Sequence, residues 1–307
     1  MDVHDEEVEI IGTRSNERQM DRSHRQEQQQ EKFYSQQQMS EESEEALFCI
    51  SKHDVKEISQ VVKAMAFRDH CILNVSNEGI RLAVDDQHNQ QGSAYFRSEH
   101  FQDFNFRTQT CSIKIPMRPL MEALNMFSGT MTMVQISWNG EGFPLLVILE
   151  DEGVVVHTEI RTLIAPEILE FDFDNENVTA KAILNSLPIR EIMRDLDDSA
   201  ETVVLTFTPG YLQFYVAGGM GRMKVELPTN CDQLELLNVT TDRVQHRYRM
   251  SLFKRLKDSI RLCNKLSFRI DRNGILSSQM MVQQNEQNVF IEFYIMPENE
   301  HYYENES

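Results

Sequence analysis

The chain has 307 residues, 40% of them apolar, and carries 49 acids against 30 bases for a formal charge of −19. That length calls for one large domain or two of ordinary size. The charge excludes a generally basic nucleic-acid coat but leaves a local basic patch open.

The longest uninterrupted apolar run, FPLLVIL at 143–149, falls far short of the roughly 20 residues a membrane helix needs. The start, MDVHDEEVEI, has neither a basic region nor a hydrophobic stretch of the kind that opens a signal peptide. Five cysteines stand singly at 49, 71, 111, 231 and 263, without a CxxC or a Cys/His zinc spacing. They read as reduced thiols of a soluble cytosolic or nuclear protein, with no membrane contact, no metal and no cofactor.

In chain order, residues 1–45 are rich in Gln, Glu and Arg and have little to bury, so disorder is expected there. Within them DEEVEIIG sets Val8, Ile10 and Ile11 beside acids, a pattern resembling segments that add a strand to a SUMO-like partner. A unit is then written twice. The first copy opens with the strand ALFCI and a helix over HDVKEISQVVKAMAF, where Val55, Ile58, Val62 and Met65 recur at helical spacing. The second opens with VTAKAIL and a helix over SLPIREIMRDL, with Ser186 as its expected cap and Pro188 in its first turn.

Each copy continues with a hairpin, CILNVSNEGIRLAV around Gly79 and VVLTFTPGYLQFYV around Gly210. A second helix follows, PMRPLMEALNMF and SLFKRLKDSIRL, and then a hairpin turning at Asn139-Gly140 and Asn273-Gly274. The hairpin glycine and the Asn-Gly turn are 60 residues apart in one copy and 63 in the other. This predicts an α+β chain of two tandem similar domains, 46–160 and 174–298, with helices on one face and antiparallel sheets on the other. The connector, 161–173, contains Pro166, and its Leu163, Ile164, Ile168, Leu169 and Phe171 are apolar enough that they should lie on something. An acidic tail, 299–307, closes the chain.

The four expected helices hold the local excess of bases. Lys52, Lys56 and Lys63 are spaced to share one side of the first helix, and Arg118 lies on the second; Arg190 and Arg194 are four apart on the third; Lys254, Lys257 and Arg261, with Arg255 nearby, crowd the fourth. Each apolar stripe would turn to a sheet and each basic stripe away from it. Solvated faces of ordinary amphipathic helices remain the alternative.

The stretches VVKAMAFRDHCILNVSNEGIRLAVDD, GFPLLVILEDEGVVVHTEI, LEFDFDNENV and NVFIEFYIMPENE, in that order on a doubled architecture, resemble the Rad-one subunit family of the checkpoint sliding clamp. The resemblance covers about residues 46–298 and implies a PCNA-like DNA-clamp fold. It implies a nuclear subunit of a heterotrimeric ring, joined with Rad-nine-like and Hus-one-like subunits. A loader containing the Rad-seventeen subunit would place that ring around double-stranded DNA with recessed ends during damage signalling. The ten helix cations would then face DNA through phosphate contacts that carry no sequence information. Edge strands with Val154 and Val156 in one domain and Lys224 and Glu226 in the other would meet the neighbouring subunits, unless they are internal strands. The connector residues Ile164, Pro166, Leu169 and Phe171 would receive repair proteins or else pack on their own domains.

Two rival readings come from other classes. A metal-dependent 3'-5' exonuclease needs converging carboxylates, and the dense acids are Asp172 and Asp174 in FDFD and Asp195, Asp197 and Asp198 in DLDD. The first pair sits in the connector and the second group ends a helix, so neither forms a recognisable centre. AGGMGRMK at 217–224 lacks the ending of a phosphate loop and reads as a link between strands. A duplicated scaffold binding only proteins is the third reading.

Overall fold

The computed structural model describes residues 46–127, 132–167, 171–284 and 287–298. The compact body begins at Leu47. Its first half runs β1 (Phe48–Lys52), α1 (Val55–Ala64), β2 (His70–Ser76), β3 (Gly79–Asp86), β4 (Gln90–Arg97), β5 (Asp103–Phe106), β6 (Thr110–Pro116), α2 (Met117–Leu124), β7 (Met133–Trp138), β8 (Leu145–Asp151) and β9 (Val154–Ile160). The two-residue strand β10 (Leu163–Ile164) follows. The second half runs β11 (Val178–Asn185), α3 (Ser186–Asp195), β12 (Thr202–Phe207), β13 (Tyr211–Gly218), β14 (Gly221–Pro228), β15 (Leu234–Val239), β16 (Val244–Arg249), α4 (Met250–Phe253), α5 (Lys257–Leu262), β17 (Lys265–Asp271), β18 (Leu276–Gln284) and β19 (Gln287–Ile295).

The strands form three sheets, in the orders β5-β1-β7-β8-β9, β10-β6-β2-β3-β4-β19-β18-β17-β11-β15 and β14-β13-β12-β16. The order β5-β1-β7-β8-β9 of the first half recurs as β15-β11-β17-β18-β19 in the second, and β6-β2-β3-β4 recurs as β16-β12-β13-β14. The halves join because β4 pairs with β19 from Gln90↔Ile295 to Tyr95↔Phe290, which makes one continuous ten-stranded sheet.

Period-2 burial writes the strands. β12 and β13 bury Val203, Leu205, Phe207, Leu212, Phe214 and Val216 on one side, as expected for sheets with one face on a core. Phe214, Phe253 and Phe268 meet there with ring centroids 6.2–6.4 Å apart. The doubled unit read from the sequence holds five strands per half where the structure has nine: it lacks β4, β5, β6 and β9 in the first half and β14, β15, β16 and β19 in the second, of which β9 and β14 entered only as the edge strands the resemblance implies. In β4 the alternation is hidden because Gln90, Gln91 and Ser93 are buried beside Ala94. Gln90 is accommodated by donating to Leu252 O at 3.0 Å. Gly92 is required at that crossing, since a Cβ would come within 2.8 Å of Met65 and 2.9 Å of Phe293.

Two helical details differ from expectation. Asp54 caps α1 by accepting from Lys56 N at 2.9 Å, but Ser186 does not cap α3. It is the buried first residue of that helix, after Asn185, which makes no capping bond. The expected single helix over 251–262 is α4, a 3₁₀ turn at Lys254–Leu256, and α5. The tighter turn coincides with Arg255 being held sideways by the other half.

Candidate nucleic-acid interface

The helices form one row. α1 packs against both α2 and α5, and α3 packs against α5. Ser259 Oγ of α5 donates to Ala64 O of α1 at 3.4 Å. The ten cations expected on this row sort into three groups by what their side chains touch.

Three are committed to the protein, and their assignment as phosphate ligands is corrected here. Lys52 is the last residue of β1, not a helix residue; its Nζ donates to His100 O at 2.7 Å and pairs with Glu57 at 2.7 Å, leaving the side chain 13% exposed. Arg190 donates to Ile260 O at 3.1 Å and to Cys263 O at 2.5 Å. It thereby satisfies carbonyls at the end of α5, groups that lack helical partners. Arg255 pairs through Nη1 with Asp86 at 2.5 Å and Gln90 at 3.1 Å, while its guanidinium lies over the Phe67 ring at 5.3 Å. Asp86 also holds Arg68 at 3.0 Å, so one buried carboxylate ties two arginines across the halves. Helical spacing shows that Arg190 and Arg255 leave the apolar stripe, and it mistakes the strand residue Lys52 for a helical one; it does not show that a carbonyl or carboxylate from elsewhere waits for them.

A second group is paired at the surface. Arg118 meets Glu122 at 2.8 Å, Arg194 meets Glu191 at 2.6 Å and Asp195 at 2.9 Å, and Arg261 lies 3.7 Å from Asp258. These exposed pairs contribute little to stability and exchange partners readily. Lys254 contacts Asp198. Burial and then the charge of Lys257 hold the Lys254 ammonium below the ordinary lysine value.

The third group is Lys56, half-buried, with Lys63 and Lys257, both exposed. None of the three forms an ion pair among the described residues. They lie on α1 and α5, the two helices at the middle of the row.

The connector is only partly seated. β10 pairs with β6 as Leu163↔Lys114 and Ile164↔Ile113, yet Leu163 is 44% and Ile164 82% exposed, against the expectation that both lie on something. Backbone pairing holds this stretch while its side chains face solvent. Phe171 does pack, stacked on Tyr294 at 5.7 Å. Pro166 is exposed and borders a cleft of about 360 Å³ whose other walls include Arg68, Asp69, His70, Asp85 and Lys114. These charged walls carry no sequence signal, since they come from β2, β3, β6 and the segment before β2. Leu169 lies outside the described residues, as do Val8, Ile10 and Ile11.

The acid-rich stretches are occupied locally. Asp174 accepts from Glu176 N at 3.1 Å and Asn177 N at 3.2 Å and pairs with Arg272 at 3.0 Å. Its carboxyl is held below the usual range, first by the Asn177 side chain. Asp197 accepts from Ser199 N at 2.9 Å and Met220 N at 3.2 Å. Gly219 N donates to Ser199 Oγ at 2.7 Å, so two amides of the glycine-rich 217–224 stretch already have partners. Among the described residues no three His, Cys, Asp or Glu side chains gather at metal-ligating distances.

The family model described as repair protein Rad1/Rec1/Rad17 matches residues 47–282. The chain belongs to the Rad1/Rec1/Rad17 family. Its Rad1 relatives include the cell cycle checkpoint protein RAD1 homolog mrt-2 of Caenorhabditis elegans, 32% identical over 82% of this chain and 94% of that protein. The human cell cycle checkpoint protein RAD1 is 30% identical over 85% of this chain and 95% of its own. Among solved structures, a PCNA2–PCNA3 complex from Sulfolobus tokodaii superposes with a TM-score of 0.69 at 14% identity, covering 81% of this chain and 98% of that one. This Rad1-family chain therefore has the PCNA-like clamp fold. Among the described residues β9 pairs only with β8, and β14 only with β13.

Proposed function

We propose that this chain is a non-catalytic subunit of a ring-shaped checkpoint clamp that encircles double-stranded DNA and serves as a platform for repair proteins in the nucleus. One observation carries the reading. Inside the chain β19 pairs with β4; the strands in the corresponding places, β9 and β14, are sheet ends with no partner among the described residues. A chain that repeats its own internal joint at both ends closes into a ring when neighbours supply the missing strands. Pairing also removes the aggregation hazard of open edges. The neighbours would be Rad-nine-like and Hus-one-like chains, meeting Val154 and Val156 on β9 and Lys224 and Glu226 on β14.

The two domains are 46–160 and 174–298. Lys56, Lys63 and Lys257 are the principal phosphate contacts, with Arg118, Arg194, Lys254 and Arg261 able to join by exchanging partners. Such contacts position DNA without reading it, which suits a ring that must slide. The role needs no catalytic centre, and the clustered acids Asp172, Asp174, Asp195, Asp197 and Asp198 are assigned to local hydrogen bonding and solvated turns. Partners docking at the connector would meet apolar Leu163 and Ile164 beside the charged cleft, so they combine an apolar anchor with polar groups.

The test is the native mass and composition of the complex that co-purifies with the chain, by light scattering with subunit identification. A species of three clamp-sized chains, this one with two different relatives, is expected. A monomer, or an assembly without clamp-like chains, would remove the ring.

A further inference from the structure

A second basic surface lies on the sheet β14-β13-β12-β16, on the side turned from the core. Val203, Leu205, Phe214, Val216, Val244 and Tyr248 are buried, so the positions alternating with them share the opposite side. One full row across that side is Arg247↔Val204↔Tyr215↔Lys224, and the next is Gln245↔Thr206↔Gln213↔Glu226. Beyond the first row, Arg249 opposes Thr202 and Arg222 opposes Ala217. Cations therefore stand at both margins, Arg247 and Arg249 on β16 and Arg222 and Lys224 on β14, with Tyr215 between them. Strand geometry sets the margins about 14 Å apart and the two cations of each margin about 7 Å apart. Phe253 of α4 meets Phe214 from the core side, so the helices and this surface lie on opposite sides of the sheet.

Arg222 and Arg247 are exposed and form no ion pair among the described residues. Lys224 pairs with Glu226 at 2.7 Å and Arg249 with Glu298 at 3.2 Å, in surface contacts that exchange readily. Arg243 adds a fifth cation; its guanidinium donates to Gln245 Oε1, which also accepts from Thr206 Oγ1 at 3.0 Å. On a chain whose formal charge is −19 this gathering selects an anionic partner. Tyr211 and Tyr215, both half-buried, share the same side of β13 with Gln213 between them. Every base has a face that stacks on such a ring, and four-stranded sheets carrying aromatic side chains hold two or three unstacked bases in this way. An acidic peptide would engage the cations and leave the tyrosine rings unused. A duplex keeps its bases stacked and out of their reach.

We propose that this side of the sheet binds single-stranded nucleic acid, with a base on Tyr215 and phosphates on Arg247 and Arg249 at one margin and on Arg222 and Lys224 at the other. The strand crosses the sheet from β16 to β14. It takes its affinity from phosphates and stacking, so the site tolerates any sequence. The site stands apart from the cations of the helix row and does not depend on closure of a ring.

The test is fluorescence anisotropy of a labelled oligothymidylate with the full chain carrying Lys63→Ala and Lys257→Ala, which weakens binding at the helix row. In that background Arg222→Gln with Arg247→Gln should flatten the plot of log affinity against log salt by about 0.7 for each contact removed. Tyr215→Leu should weaken binding about tenfold and leave that slope unchanged. Ultraviolet cross-linking of the chain without substitutions should place the oligothymidylate on β13 and β14. The proposal is overturned by absence of binding, by unchanged affinity in both sets of variants, or by cross-links confined to the helices. It is also overturned if polyglutamate displaces the oligothymidylate and binds equally well after Tyr215→Leu, which would give the face to an acidic protein.

Discussion

Arg255 turns its guanidinium from the helix row onto Asp86 and Gln90 and over the Phe67 ring, so the cation bonds one half of the chain to the other. Removing one partner of a half-buried pair strands the other charge, although Asp86 would keep Arg68. Arg255→Ala is therefore expected to cost about 2 kcal/mol of stability, less than a fully orphaned buried ion. A urea unfolding midpoint measures this, and an unchanged midpoint would show that the contact is not structural. Lys63 and Lys257 are the contrasting case, exposed and without an acid among the described residues. Lys63→Ala with Lys257→Ala should leave the fold and the assembly unchanged. The plot of log DNA retention against log salt should flatten by about 0.9 for each contact removed. Both positions look alike in the sequence, as basic residues off an apolar stripe. What separates them is whether a distant carboxylate reaches them, and Asp86 is 169 residues from Arg255.

Strands and helices were legible where one-sided burial stands beside a recognisable turn or helix start; β6 and β16 alternate too but have no such signal. The hairpins about Gly79, Gly210, Asn139-Gly140 and Asn273-Gly274 stand where turn chemistry put them, and Gly79 takes the positive φ of 144° that its turn requires. β4 was not legible, because its buried glutamines are matched only once the second half folds against it. The 3₁₀ turn at Lys254–Leu256 escaped detection too, since the residues around it keep a helical apolar spacing. The edge strands give the prediction at this scale. Val154 is 56% exposed and Val156 half-buried on β9, an end strand. Val154→Asp with Val156→Asp should leave the chain folded by circular dichroism and abolish its incorporation into a larger complex, because charges on an edge block strand pairing. Retained assembly would move the subunit contact elsewhere.

Across the whole molecule the thiols act together on stability at alkaline pH. Burial pushes Cys71 and Cys263 up to about 12 and Cys49 and Cys111 up to about 11, from an ordinary value of 9.0. Above pH 9 the unfolded chain gives up these protons while the folded chain keeps them, so stability is whole below that pH and falls as pH rises toward 11–12. Urea midpoints at pH 8 and pH 10.5 should show the loss, and replacing Cys71 and Cys263 by Ala should make it shallower. By itself the sequence determined the elements flanked by clear turns, the doubling of the unit, the family resemblance and the basic bias of the helices. The resemblance rests on the stretches quoted for it; the other features rest on periodicity, turn residues and composition, which act over a few neighbouring positions. Only the tertiary structure decided which cations are held by distant partners, that β4 and β19 fuse the halves, and that β16 is a sheet end among the described residues. Ion pairing and strand pairing take their partners from residues far apart in the chain, so no local pattern records them.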